Sequence, residues 1–506
     1  MVERAAEKTL VLLGVLAGCG PRDLPVDVPD PTVFPDPDAW GTTEGPGGPS
    51  RVFTTEELGQ PCGFVVGGEG DAEHHNLVVM YDGYLVHPWA PESGGGGISL
   101  LDFSDPCAPQ VVGQGWADGM RETHTLAFGE VEGRSYLAVD YHEALAVGGV
   151  GLWDITDRSA PVWVSELATP GYHYPDSYLR VTFSNFWLGD VIYVSAAFNG
   201  VHVVDASDPL DLRLVNTVTF EGLPHLVGSF TVVGDLAIAA SAGTSRVVML
   251  DVSDPWNPVP IPGGDLSISG TEGEDVEYYF SSVGGTYAFF ARKDAGGGPV
   301  VYDLTDPSAP EKIGEVFTAD GDGGYVYRQS DRVFLGDSNF ASIYDFREET
   351  LSEVARYEGP GDLDTLSPIG NVAVLSVDSG GAPGEASGVW PFEREPDRVP
   401  PRIELARPAP GSTWVAPTTS IGVSFDEWVE HASVFEGSFR VVDSWGQQVP
   451  GRFNTQESIV NFTADEPLVE DQVYTVTVPA GGITDVSGNP TVEAFSWQFS
   501  TGASAP

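Results

Sequence analysis

Short apolar runs alternate with Gly-, Pro- and Asp-rich turns along most of this chain, and the runs fall into groups of similar length. Within a group, one run precedes a Gly turn, as in Leu77-Val78-Val79-Met80 and Val181-Thr182-Phe183. A middle run follows, such as Tyr84-Leu85-Val86, Tyr136-Leu137-Ala138-Val139 or Val191-Ile192-Tyr193-Val194. A third ends in a fixed phrase of Asp, one residue, Ser or Thr, Asp and often Pro. The phrase reads Leu101-Asp102-Phe103-Ser104-Asp105-Pro106, then Trp153-Asp154-Ile155-Thr156-Asp157 and Val204-Asp205-Ala206-Ser207-Asp208-Pro209. It returns at Leu250-Asp251-Val252-Ser253-Asp254-Pro255 and Tyr302-Asp303-Leu304-Thr305-Asp306-Pro307, degenerates at Tyr344-Asp345-Phe346-Arg347, and keeps only its apolar part at Val389-Trp390-Pro391-Phe392. A fourth run follows most copies, for example Lys312-Ile313-Gly314-Glu315-Val316. Runs of this length bounded by turn residues are strands.

The key position recurs at 102, 154, 205, 251, 303, 345 and 391, in steps of 52, 51, 46, 52, 42 and 46 residues. Four strands in a unit of this period predict a β-propeller, here with seven blades over residues 51–398. Asp and Ser/Thr side chains bond nearby backbone N–H groups and Pro presets a turn dihedral, so the phrase is read as the turn between third and fourth strands rather than as a set of catalytic carboxylates. The last unit lacks a fourth strand before Pro400-Pro401. A bare edge invites mispairing, so a strand from Arg51 to Val66 is expected to close the ring.

From 399 to 502 the texture changes to short alternating strands, including Ile421-Gly422-Val423-Ser424-Phe425, Val473 to Val478 and Phe495 to Phe499, which predict a β-sandwich. The fold class is therefore all-β. Residues 503–506 form a tail.

Two resemblances sharpen this division. The run Leu250 to Pro258 resembles the LVIVD repeat of bacterial secreted and surface propellers, which implies a fold and no transferable catalytic residue. Pro410-Gly411, Val423 to Glu427, Tyr474 to Val478, Asp485 to Pro490 and Trp497 to Thr501 resemble the bacterial Ig-like domain, which implies a spacer or adhesive module.

Composition adds location and excludes some partners. The 506 residues carry 74 acidic and 23 basic side chains, a net charge of −51. Such a surface repels phosphate backbones, so no nucleic-acid partner is expected; solubility, cationic partners and divalent ions are favoured. Arg4 and Lys8 precede the apolar run Thr9 to Gly18, too short to span a bilayer and suited to export. Leu16-Ala17-Gly18-Cys19 resembles a bacterial lipoprotein processing site. It implies a signal at 1–18, Cys19 as the acylated anchor to the cell envelope, outer membrane or cell surface, and residues 19–50, rich in Pro, Asp and Gly, as an extended tether. Cys62 and Cys107 remain; in an exported protein they suit a disulfide, or stand as independent thiols.

Candidate chemistry gathers in the loops that enter the first strand of each unit, at one mouth of the ring. The first two present the same Glu-x-His: Glu73 with His75, and Glu122 with His124. Later loops carry His173 and Asp176, then His225, then Glu272, Glu274 and Asp275, and finally Asp320 with Asp322 and Asp362 with Asp364. Imidazole with carboxylate suits a divalent transition metal, and carboxylates suit calcium. Polar loops around a solvent-filled channel are equally expected without a ligand. His142 is expected near the opposite rim as a surface residue, and the glycines Gly94 to Gly97 are read as a flexible loop. No nucleotide-binding loop, serine elbow or zinc-protease helix is present. Three functions stay open: non-enzymatic binding of a surface protein or polysaccharide through the rim, a metal-dependent hydrolase-like enzyme at the channel mouth, and an envelope spacer.

Overall fold

The computed structural model describes residues 58, 61–64, 77–91, 94–143, 147–171, 184–222, 225–293, 296–359, 361–378 and 387–502. The segments read as signal, anchor and tether, and the loop holding Glu73 and His75, lie outside the described residues, as do His173 and Asp176.

Seven four-stranded antiparallel sheets follow one another along the chain. The first blade runs Val79–Tyr81, Tyr84–Trp89, Gly96–Asp102 and Gln110–Ala117, in that spatial order. The next five repeat the order, opening with Ala127–Val131, Ser184–Leu188, Val227–Val233, Tyr278–Gly284 and Val326–Gln329. The last pairs Asp362–Ile369, Val372–Asp378 and Ser387–Pro391, and its fourth strand is Cys62–Phe64 from the other end of the chain, in register Cys62 to Val389. Shared apolar cores weld each blade to the next. The seventh returns to the first through Ile369, Val372 and Val374 against Val78, Leu85 and Leu101, with Ser367 Oγ donating to Val78 O at 2.9 Å. A disulfide joins Cys62 to Cys107, so the closing strand is tied covalently to the first blade as well.

The repeated phrase closes its turn by a local bond at each full copy. The first Asp accepts from the N–H two residues on: Ser104 N to Asp102 at 2.9 Å, Thr156 N to Asp154 at 3.0 Å, Ser207 N to Asp205 at 3.0 Å, Ser253 N to Asp251 at 2.8 Å and Thr305 N to Asp303 at 2.6 Å. The second Asp does the same one turn later, as in Leu210 N to Asp208 at 3.0 Å. These carboxylates satisfy backbone donors that a tight turn leaves bare.

Gly96 and Gly97 are strand residues rather than a flexible loop. A Cβ at Gly97 would sit 1.9 Å from Gly115 O, and one at Gly96 would sit 2.3 Å from the Ala90 Cβ. The absence of side chains allows close backbone approach, not motion.

The C-terminal unit is a sandwich. One sheet orders Ile403–Arg407, Ile421–Phe425, Ile459–Ala464 and Gly451–Gln456; the other holds Arg440–Val442, Val473–Val478 and Phe495–Ser500. Its core packs Phe425, Phe439, Val460, Phe462, Val476, Trp497 and Phe499.

The sandwich sits on the lower mouth of the ring, where first and second strands of the blades turn. Asn454 Oδ1 accepts from Gly189 N at 2.8 Å while its Nδ2 donates to Phe128 O at 3.1 Å. Asn461 repeats the device on the next blade, accepting from Gly234 N at 2.7 Å and donating to Val232 O at 2.9 Å. Ser458 Oγ bonds Val283 O at 2.6 Å, and Gly285 N bonds Phe425 O at 2.6 Å. Arg407 pairs with Asp235 at 2.7 Å and Arg328 with Glu404 at 2.6 Å. Each of these bonds satisfies a turn that would otherwise face water.

Candidate functional site

The axis of the ring is packed with aromatic rings, contrary to the solvent-filled channel expected from its polar loops. Phe280 stacks on Tyr325 at 3.8 Å and Tyr81 on Phe128 at 4.0 Å between ring centroids. The sandwich adds His431 over Tyr81 at 4.5 Å and Trp428 edge-on to Tyr327 at 5.0 Å. First-strand positions point inward, so large residues there fill the space where seven sheets converge. What remains is a cavity of about 40 Å³, room for a few water molecules. Ser184, Ser229, Ser281 and Tyr325 line it, His124 bounds it on one side, and Glu457, at the tip of the sandwich hairpin, lines it from below.

The upper mouth holds a buried polar cluster. Glu122 and His124 enter the second blade and are almost completely buried, as is Asp140 on the neighbouring strand Arg134–Glu143. His124 Nε2 lies 3.4 Å from Glu122 Oε1, and its Nδ1 lies 3.6 Å from Asp140 Oδ2. Asn185 of the third blade donates to the other Asp140 oxygen at 2.8 Å, which fixes that carboxylate. The Thr125 hydroxyl donates to Asn185 O at 2.9 Å and accepts from Asn185 N at 2.7 Å, locking the two strand entrances together. Phe280 stacks on the imidazole at 5.6 Å.

Burial alone would lower the His124 pKa. The charge of Glu122 and the pull of both carboxylates as acceptors outweigh it and push the value up to about 9. The ring stands between acids on opposite edges, a setting that favours its protonated form. Glu73 and His75 lie outside the described residues, so the Glu-x-His pair is not brought together by anything described here.

The other rim acids are dispersed. Asp320 pairs with Arg356 at 3.0 Å, and Asp322 lies 3.7 Å from Lys293. Asp364 is buried and accepts from Ser338 Oγ at 3.3 Å, while Asp362 opens the first strand of the last blade. Among the described residues, one acidic trio gathers its ligand atoms within 4.8 Å: Asp397, Glu427 and Asp485. It stands in the seam between linker and sandwich. Oxygen-only donors are the set a hard divalent cation takes. Burial, then mutual repulsion, raises the Glu427 pKa well above the carboxylate range, and burial takes Asp485 up to about 7, so the trio is also able to hold protons.

His142 needs a correction. It is buried at the same rim as His124, because its strand runs ten residues, from Arg134 to Glu143, and returns to the upper mouth. A Cβ on Gly94 would stand 3.0 Å from its Nδ1. Asp140 and Asn185 were the partners the sequence reading missed; the signal was Asp140 in that unusually long strand.

The upper mouth also exposes aromatic side chains. Trp116 is 51% exposed, Phe198 43% and Phe317 55%, all in or beside the loops of that face. Trp116 is steadied by a bond from its Nε1 to Asp118 at 3.0 Å and by Trp89 at 5.6 Å; the Arg292 guanidinium lies over Phe317 at 5.2 Å.

Residues 397–501 match the family model of the bacterial Ig-like domain. The chain is thus an all-β protein in which a propeller carries such a domain at its C-terminal side. Solved structures similar to it include BamB from Moraxella catarrhalis, 14% identical over 66% of this chain and 98% of that one with a TM-score of 0.40. The WD40 domain of Toxoplasma gondii coronin is 11% identical over 65% of this chain and 84% of that one, with a TM-score of 0.44. No curated protein matches the chain.

Proposed function

We propose that this is an exported protein, held to the cell envelope through an acylated Cys19, which binds a surface protein or polysaccharide without catalysis through the upper mouth of its propeller. The observation that carries the reading is the asymmetry of the ring. The lower mouth is occupied by the Ig-like domain, while the upper mouth leaves Trp116, Phe198 and Phe317 exposed on the face that holds the buried charged cluster. Exposed aromatic rings on a rigid frame provide large contact area at low entropic cost and stack well on sugar rings or apolar side chains. The His124 cluster supports the frame; its charges are consumed within it. An LVIVD-type repeat with an Ig-like module fits the same role.

The binding test uses a panel of acidic and neutral polysaccharides and isolated envelope fragments. Wild-type protein should be retained by at least one of them, and the variant Trp116→Ala/Phe198→Ala/Phe317→Ala should lose roughly tenfold or more in affinity, the scale of two or three interfacial aromatics. Equal retention of both proteins sinks the rim as the binding face. For the anchor, Cys19→Ser should move the protein from the membrane fraction to the soluble one; unchanged fractionation rules the lipid out.

A further inference from the structure

A second cavity lies at the edge of the lower mouth. It occupies about 340 Å³ on the lower side, beside the sandwich, where the linker leaving the seventh blade crosses the turn between the first two strands of the sixth. Four of the chain's 23 basic residues line it: Arg332, Arg347, Arg398 and Arg402. Four acids, Asp331, Glu393, Glu395 and Asp397, line it too, so in a chain with about three acids for every base the lining is balanced in charge.

The four guanidinium groups are not equivalent. Arg332 pairs with Asp345 and lies 3.3 Å from Glu393, and Arg347 Nε bonds Asp331 at 3.1 Å. These two are pinned in place. Arg398 has no ion-pair or hydrogen-bond partner among the described residues, and Arg402 reaches Asp426 only at 3.6 Å with its side chain 62% exposed. Asp397, an acid on the same wall, is already engaged: it accepts from Val399 N at 3.0 Å and from Ser487 Oγ at 2.9 Å. Asp331, Glu393 and Glu395 complete the charged lining, and Phe392 and Val399 give the cavity an apolar wall.

We infer that this cavity binds a small molecule bearing a carboxylate or phosphate group, with Arg398 and Arg402 as its guanidinium forks and Phe392 and Val399 against its apolar part. The volume lies in the range of small-molecule sites, which are concave, partly apolar and fixed by a few charged groups. Guanidinium matches either oxyanion with two parallel bonds. The overall negative charge does not forbid an anion here, because fields from exposed carboxylates beyond roughly 8 Å are screened at physiological salt. This site is separate from the upper mouth and from the binding proposed there.

Calorimetric titration of the full-length protein with sodium citrate and with sodium phosphate, at ionic strength matched with chloride, tests the inference. Saturable binding of at least one probe at one site per chain is expected, and which probe binds tells carboxylate from phosphate. Affinity should fall roughly tenfold or more in Arg398→Ala/Arg402→Ala, partly in Arg398→Lys, which keeps charge but loses the fork, and not at all in Arg213→Ala on a distant outer strand. Thermal midpoints without probe confirm that the variants fold. No saturable binding of either probe, or equal affinity in the double alanine variant, overturns the site.

Discussion

The two mouths of one ring treat their polar groups in opposite ways. At the upper mouth, His124 stands between Glu122 and Asp140, which push its pKa up to about 9, and exposed aromatics lie on the same face. At the lower mouth the sandwich meets bare backbone with neutral amides, Asn454 and Asn461, and sends Glu457 into the axis. Burial pushes the Glu457 pKa up to about 8, so its carboxyl is neutral in most conditions. One mouth buries a charged cluster within a rigid frame; the other joins two domains by neutral amides on backbone groups and by ion pairs such as Arg407–Asp235 and Arg328–Glu404. The shared core is explicit, since Trp428 and Val486 pack with blade residues such as Tyr81 and Phe128. The difference teaches that the Ig-like domain here is a structural part of the propeller rather than a spacer beyond it.

The most damaging way to break the comparison is to remove the lower seal. Asn454→Ala with Asn461→Ala leaves two backbone N–H and two C=O groups buried without partners. At about 1–3 kcal/mol for each orphaned group, the loss should be on the order of 5 kcal/mol. Denaturant unfolding should then split into separate sandwich and propeller transitions. A single transition within about 1 kcal/mol of wild type, the scale of one ordinary hydrogen bond, would show that the asparagines do not couple the domains.

How much of this was readable in the chain follows from the range of each interaction. The Asp phrase was readable because its chemistry is local: the carboxylate bonds an N–H two residues on, and the sequence shows both partners. The closing strand Cys62–Phe64 was readable from a deficit, an apolar edge with no fourth run. The Glu122 and His124 pair was readable from its place before a strand. Asp140 and Asn185 were not, because they meet across two blades. The seam was illegible for the same reason. Asn454 and Asn461 look like ordinary strand residues, and their partners stand between 227 and 326 positions away. Gly96 and Gly97 misled because a glycine run reads the same whether it permits motion or close packing; only the Gly115 carbonyl decides.

A smaller perturbation sharpens the comparison through pH. Glu457 has a folded pKa of about 8 against an ordinary 4.5. The folded carboxyl keeps a proton that the unfolded chain releases, so its contribution is complete below 4.5 and is lost as pH rises through 8. His124 has a folded value of about 9 against 6.5; its contribution is complete below 6.5 and is lost as pH rises through 9. The two windows overlap only in the middle. Stability therefore falls with pH for both groups, by up to about 1.4 kcal/mol per unit for each proton released. Glu457→Gln should flatten the profile relative to wild type between about pH 5 and 6.5 and leave pH 8 to 9 unchanged, whereas His124→Gln should do the reverse. Asp485 and Asp426, also raised by burial, titrate in the acid window in every variant and cancel in the difference. Difference profiles that coincide for the two variants would mean that the mouths are not the independent electrostatic environments their geometry describes.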